Sequence, residues 1–189
     1  CLRPVRKPLV VLTPKSLLRH RLSVSSLTDL SRGSFQPLIG ETESLVAKEV
    51  ERVVLCSGKV YYDLVQMRRE KEIGRVAIVR LEELYPFPVE AYAKTLDRYP
   101  NAAEIVWCQE EPQNQGAWYQ IRHRLQAALG SNRRLYYAGR HSAAAPASGV
   151  HAAHVVQQQA LVAAALEAGS GNGDLDATNL MRLGATDEH

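Results

Sequence analysis

Four short apolar runs recur along the middle of this 189-residue sequence: Val53-Val54-Leu55-Cys56, Val76-Ala77-Ile78-Val79, Ile105-Val106-Trp107-Cys108 and Leu135-Tyr136-Tyr137-Ala138. Each is rich in β-branched or aromatic residues, and each is followed by a turn and a stretch with helical spacing of apolar side chains. Strand–helix alternation with connections of this length demands parallel strands and right-handed crossovers. It predicts an α/β three-layer sandwich.

The helical stretches carry their own patterns. Val60, Tyr61, Leu64 and Val65 share one face before Gly74, which is expected to end that helix. Val89 to Tyr99 follows the rigid Pro86-Phe87-Pro88 and turns Tyr92, Leu96 and Tyr99 inward, while Trp118, Ile121, Leu125 and Ala128 form the face of the next helix. A last helix, about Val150 to Glu167, presents Val155, Val162 and Leu166 to the core. Lys7-Pro8-Leu9-Val10-Val11-Leu12-Thr13 reads as a fifth strand, bounded by prolines. Residues 21–51 mix Ser, Gly and Pro with isolated apolars and read as a long, partly irregular excursion with one short helix near Ser26–Leu30. The domain is expected to span 1–167. Residues 168–189 begin Ala-Gly-Ser-Gly-Asn-Gly-Asp and are expected to be a disordered tail.

Composition narrows the function classes. A formal charge of +3 with 6% aromatics gives little basis for nucleic-acid binding, although six Lys and Arg precede the first acid, Asp29. No run is long enough for a membrane span and no signal peptide is visible. Cys1, Cys56 and Cys108 are odd in number and lack CxxC spacing, which argues against a disulfide framework or a zinc site and fits a reducing cytoplasm. A first residue that is not Met reads as a cut end, so the chain is expected to be part of something larger.

The turn Gln109-Glu110-Glu111-Pro112-Gln113-Asn114-Gln115-Gly116 follows the Trp107 strand, and in open α/β sheets that carboxyl edge is where ligands and partners are met. Glu110-Glu111 has the composition of an acid/base pair, but no His or nucleophile is near in sequence; the competing reading is structural, accepting N–H bonds or meeting a cation. Ser57 reads as a helix N-cap, with Gly58 allowing close backbone approach and Lys59 at the positive end of the dipole; this suits a phosphate but is not a P-loop. Lys15, Arg19 and Arg140 would complete an anion pocket if they converge, or remain scattered solvated charges if they do not. His151 and His154 read as surface or interface histidines, and the Tyr61-Tyr62 and Trp107/Trp118 pairs as core and interface bodies.

Five motifs in collinear order, Thr13-Pro14-Lys15-Ser16-Leu17-Leu18-Arg19-His20, Ser57-Gly58-Lys59-Val60-Tyr61-Tyr62-Asp63-Leu64, Leu84-Tyr85-Pro86-Phe87-Pro88, Trp107 to Trp118 and Tyr137-Ala138-Gly139-Arg140, closely resemble the C-terminal domain of the 2-oxoglutarate dehydrogenase decarboxylating component. The resemblance implies a transketolase C-terminal fold, with a mostly parallel five-stranded sheet and one antiparallel edge strand that periodicity alone does not yield. It implies an oxidoreductase of the tricarboxylic acid cycle whose thiamine diphosphate and magnesium sites lie in preceding domains, so this piece holds no cofactor and no catalytic residue. It also implies partners: other domains of the same chain, a homodimer mate, and the lipoyl-bearing succinyltransferase component. In some bacterial members a regulatory site for acetyl-CoA or AMP is found, and carried over by position it would use Lys15, Ser16, Arg19, Ser57, Lys59 and Arg140. Gln109, Glu110, Glu111, Asn114 and Gln115 would form a strand-end turn or interface. Set beside this is a free-standing flavodoxin-like nucleotide- or phosphate-binding module.

Overall fold

The computed structural model describes residues 4–167. The expectation of a disordered tail falls on 168–189, outside the described residues. Two compact units appear, one ending at Ser34 and one beginning at Phe35.

In the N-terminal unit, a 3₁₀ turn over Lys15–Arg19 precedes helix α1, Leu27–Arg32. This short helix exists because Ser26 and Asp29 form a capping box: the Ser26 hydroxyl accepts from the Asp29 N–H and the Asp29 carboxylate accepts from the Ser26 N–H. The expected strand at Lys7–Thr13 is absent. Those residues run extended without a ladder, and Leu9 to Leu12 are 70–94% exposed, so no sheet face buries them.

The second unit carries the sheet: β1 Leu38–Ile39, β2 Arg52–Cys56, β3 Val76–Leu81, β4 Glu104–Pro112 and β5 Arg134–Arg140, in spatial order β1-β3-β2-β4-β5. The four long strands are parallel, and β1 adds antiparallel to β3. The fold is therefore the anticipated mostly parallel sandwich, with its edge strand drawn from the excursion rather than from Lys7–Thr13. Strands β2 and β3 are buried nearly throughout, as parallel strands covered on both faces must be.

Helices α2 (Val60–Glu70), α3 (Val89–Asp97), α4 (Trp118–Ala127) and α5 (His151–Leu166) cover the sheet. On one face Val53, Leu55, Val79, Ile105 and Trp107 pack with Tyr92, Leu96 and Tyr99 from the α3 side and Ile121 and Leu125 of α4. On the other, α2 and α5 pack against each other and the sheet. In α5 the core side chains are Leu161, Val162, Ala165 and Leu166. Val155, expected inside, is 38% exposed, since the buried residues of α5 all fall in its second half.

Two helix ends correct the expected turn chemistry. Ser57 caps nothing: α2 begins at Val60, preceded by Lys59 in helical geometry. Nor does Gly74 end α2. The helix stops at Glu70, and a Schellman motif follows, with Ile73 N–H donating to Arg68 O, Glu72 N–H to Arg69 O, and Glu72 itself left-handed at φ 54°.

Candidate functional site

The strand order reverses direction between β2 and β4. From β2 the chain leaves through α2 towards β3, whereas from β4 it leaves through α4 towards β5, on the opposite face. Their carboxyl ends therefore mark the topological switch point, the crevice position at which open α/β sheets bind ligands. The segments that meet there are Ser57-Gly58-Lys59 and the end of β4, which runs on through Gln109–Pro112 where a turn was expected, the turn itself beginning only at Gln113. Gly58 lines the opening in a left-handed conformation (φ 76°), with nothing within 4 Å of where a Cβ would stand.

Across the crevice, Lys59 Nζ lies 2.7 Å from Glu110 Oε1 and 3.3 Å from Asp63 Oδ2. Burial alone would depress the Lys59 ammonium, but Glu110 and Asp63 outweigh it and hold its pKa above the ordinary value. Gln158 of α5 knits the cluster together, donating to Asp63 at 2.8 Å and Glu110 at 2.9 Å while accepting from Arg140 Nη2 at 2.9 Å. Arg140, at the end of β5, also donates to the Glu110 carbonyl and pairs with His154 Nδ1 at 3.2 Å. Lys59 and Arg140 are thus brought together, on opposite sides of Glu110. The cluster sets two cations, Lys59 and Arg140, against two carboxylates, Asp63 and Glu110, so an incoming anion competes with Glu110 for Lys59. Glu110 accepts from Lys59 and Gln158, as the structural reading of the pair requires, while Glu111 is exposed.

The turn is rigid for reasons that begin with Gln109. Its buried amide accepts from Trp107 Nε1 at 2.8 Å and the Trp118 N–H at 3.1 Å, and donates to the Glu111 and Pro112 carbonyls, each at 3.2 Å. Gly116 is required because a Cβ there would strike that amide. Asn114 then reads both backbone groups of Ala143, accepting its N–H at 3.0 Å and donating to its carbonyl at 3.1 Å, and Gln115 donates to the same carbonyl at 2.6 Å. The turn after β4 and the loop after β5 are therefore one piece. Replacing Gln109 by Leu strands the buried Trp107 N–H and loosens both segments; a loss of about 2–3 kcal/mol is expected in urea unfolding, with quenched or shifted Trp107 fluorescence.

Lys15, Ser16 and Arg19 are exposed on the 3₁₀ turn of the N-terminal unit. Cys56 and Cys108 are buried partners on adjacent strands, and burial pushes both thiols far above the usual range, so neither is a ready nucleophile. Among the described residues no group of three or more His, Cys, Asp and Glu side chains is arranged to hold a metal ion. With Asp63 and Glu110 already engaged, the donors present do not fit a magnesium–diphosphate group. No helix of the described residues is long and apolar enough to cross a membrane.

Sequence reasoning did not find Asp63, His154 and Gln158 as members of the cluster. His154 and Gln158 had a usable signal, being i, i+4 polar residues on an otherwise Ala- and Val-rich helix.

Comparison with known proteins follows the same lines. The family described as 2-oxoglutarate dehydrogenase C-terminal matches residues 24–166. The 2-oxoglutarate dehydrogenase E1 component of Cupriavidus necator is 54% identical over 164 residues, covering 87% of this chain and 17% of that protein. The E1 component of Coxiella burnetii is 54% identical over 168 residues, covering 88% and 18%, and that of Azotobacter vinelandii 52% identical over 164 residues, covering 85% and 17%. The chain thus spans less than a fifth of the length of these relatives.

Proposed function

The chain belongs to the 2-oxoglutarate dehydrogenase C-terminal family, and from that membership we propose that it serves as the C-terminal domain of a cytoplasmic 2-oxoglutarate dehydrogenase E1 component. The parent enzyme would oxidatively decarboxylate 2-oxoglutarate and pass the succinyl group to a lipoyl-bearing partner. The observation that carries the reading is 54% identity across 87% of the chain to an E1 component. Thiamine diphosphate and magnesium would be held by the rest of the parent enzyme, and this domain would contribute to homodimer assembly. Deleting residues 35–167 from the full-length protein should abolish 2-oxoglutarate-dependent NADH formation in the reconstituted complex and reduce the dimer to smaller species in light scattering. Undiminished turnover would remove the reading.

At the switch-point crevice we propose a regulatory effector site for a phosphorylated ligand of the acetyl-CoA or AMP class, using Ser57, Lys59 and Arg140. Its support is the exchangeable Lys59–Glu110 pair: an incoming phosphate competes with Glu110, and release of Glu110 frees the turn that Gln109 and Asn114 otherwise lock. Lys15, Ser16 and Arg19 are proposed effector positions in their own unit. Calorimetric titration of the full-length enzyme with acetyl-CoA and with AMP should give binding that weakens about tenfold or more in Lys59→Ala, the loss of one charge-assisted contact. No heat with either ligand, or equal affinity in Lys59→Ala and Arg140→Ala, would eliminate the site.

A further inference from the structure

Three arginines of the sheet unit are half-buried, Arg80, Arg133 and Arg140, and only two of them are answered by acceptors. Arg133 donates to the carbonyls of Leu96, Tyr99 and Ala102, and Arg140 to Glu110 and Gln158. Arg80 has neither a hydrogen bond nor an ion pair among the described residues, and its Nε is sealed from solvent without a partner. A desolvated guanidinium donor left in this state is costly. Its one printed contact is a ring: the guanidinium lies 4.3 Å from the centre of Tyr61, whose hydroxyl is held by Thr42 at 3.1 Å. A ring face offsets part of the charge and leaves the N–H fork without an oxygen.

The place makes the missing acceptor more telling. Arg80 stands one residue before the end of β3, in register with Cys56 at the end of β2, and Tyr61 belongs to the first turn of α2. The cation therefore sits beside the amino end of a helix, where the dipole is already positive and another positive charge is repelled. In the connection from Cys56 into that helix, the N–H groups of Gly58, Lys59 and Val60 have no acceptor among the described residues, and neither does the half-buried Ser57 hydroxyl. Glu82, the next acid along the chain, is exposed and makes no ion pair with Arg80. Donors of one sign thus collect where no negative group answers them.

We propose that Arg80, with the N–H groups that open α2, binds a tetrahedral oxyanion of the phosphate class. The guanidinium fork matches two phosphate oxygens, and helix amino ends accept the same group through backbone N–H. The Tyr61 ring holds the guanidinium in place beforehand, which lowers the ordering cost of binding. Lys59 reaches its anion only in competition with Glu110, whereas Arg80 has no carboxylate to give up. The Arg80 site therefore goes beyond the effector reading at Lys59 and stands independently of it.

The test follows the melting temperature of the full-length protein against inorganic phosphate, at constant ionic strength in chloride and with thiamine diphosphate and magnesium present throughout. The midpoint should climb and saturate, as binding to the folded state requires. In Arg80→Met the phosphate concentration giving half the rise should increase about tenfold or more, while Lys59→Ala should leave it unchanged. Without phosphate, Arg80→Met should melt no lower than the parent, because the cation it removes has no partner. AMP titrated in the same way separates free phosphate from phosphate carried by a nucleotide, since only the carried group makes the AMP response sensitive to Arg80→Met. No phosphate response, or an equal one in Arg80→Met, would overturn the proposal. So would a lower midpoint of Arg80→Met in phosphate-free chloride, which would mean that a carboxylate from elsewhere in the full-length chain already answers Arg80. Absence of acetyl-CoA and AMP heats with the phosphate response intact would remove the effector reading and uphold this one.

Discussion

Glu41→Ala should lower the unfolding free energy by about 3–5 kcal/mol, the loss expected when one partner of a buried ion pair is removed and the other stays. Glu41 and Arg68 are both almost fully buried, with side-chain exposures of 4% and 2%. Arg68 reaches Glu41 with both terminal nitrogens, and Glu41 also accepts the N–H groups of Ile78 at 2.8 Å, Glu43 at 2.8 Å and Thr42 at 2.9 Å. One carboxylate thus ties the 35–51 segment to β3 and α2. Without it, Arg68 keeps Glu43 and the Val76 carbonyl, and the N–H of Ile78 loses its acceptor. Replacing the pair together, as Glu41→Leu with Arg68→Met, should recover much of the loss, because no unpaired charge is then left inside.

The same carboxylate sets an acid limit. Burial pushes the Glu41 pKa up, but the Arg68 guanidinium and the Ile78 and Glu43 N–H groups outweigh that and hold it below the usual carboxylate range. A folded pKa below the unfolded one means the stabilisation is complete above the unfolded carboxylate pKa and fades as pH falls through the folded value. Urea midpoints measured from neutral pH downwards should therefore drop in acid for the parent sequence. Glu41→Gln should lack that share of the drop, and an identical acid slope in the two proteins would refute the assignment.

What the sequence revealed and what it hid follow from the range of the interactions. Parallel strands buried on both faces announce themselves as continuous apolar runs, so β2, β3, β4 and β5 and the helices between them were legible from local pattern. Arg68 was half legible: it continues the Val60, Tyr61, Leu64, Val65 face by i+4 from Leu64, and a charge on an apolar face asks for a buried partner. That the partner is Glu41, 27 residues away, no local pattern states. The two-residue β1 is too short for periodicity to mark, and Lys7–Thr13 has strand composition but no neighbour to pair with. The crevice divides likewise: a turn closed by Gly116 was visible as punctuation, but it starts at Gln113 because β4 continues to Pro112, and the Lys59–Glu110 pair, joining the ends of β2 and β4, required the strand order.

Arg52→Ala should cost about 3–4 kcal/mol, and it should do so without touching the crevice. Arg52 starts β2 at the opposite edge of the sheet, 2% exposed, and its guanidinium bonds Glu104 of β4 together with the Ala164, Ala165 and Glu167 carbonyls. The Ala164 and Ala165 carbonyls belong to the last turn of α5 and Glu167 is its C-cap, so Arg52 satisfies acceptors that the helix itself leaves open, and a cation there also opposes the negative end of the helix dipole. Arg52 therefore fixes the far end of the helix whose near end supplies His154 and Gln158 to the crevice. Arg52→Lys keeps the charge but loses the planar fork, so it should recover less than half of the loss. Lys59→Met separates the two poles: it removes a partly desolvated cation whose side chain is 27% exposed, and it should change the unfolding midpoint less than Arg52→Ala does while removing the proposed effector response. If Arg52→Ala left stability intact, or if Lys59→Met were the more destabilising of the two, the division into a structural amino edge and a ligand-responsive carboxyl edge would fail.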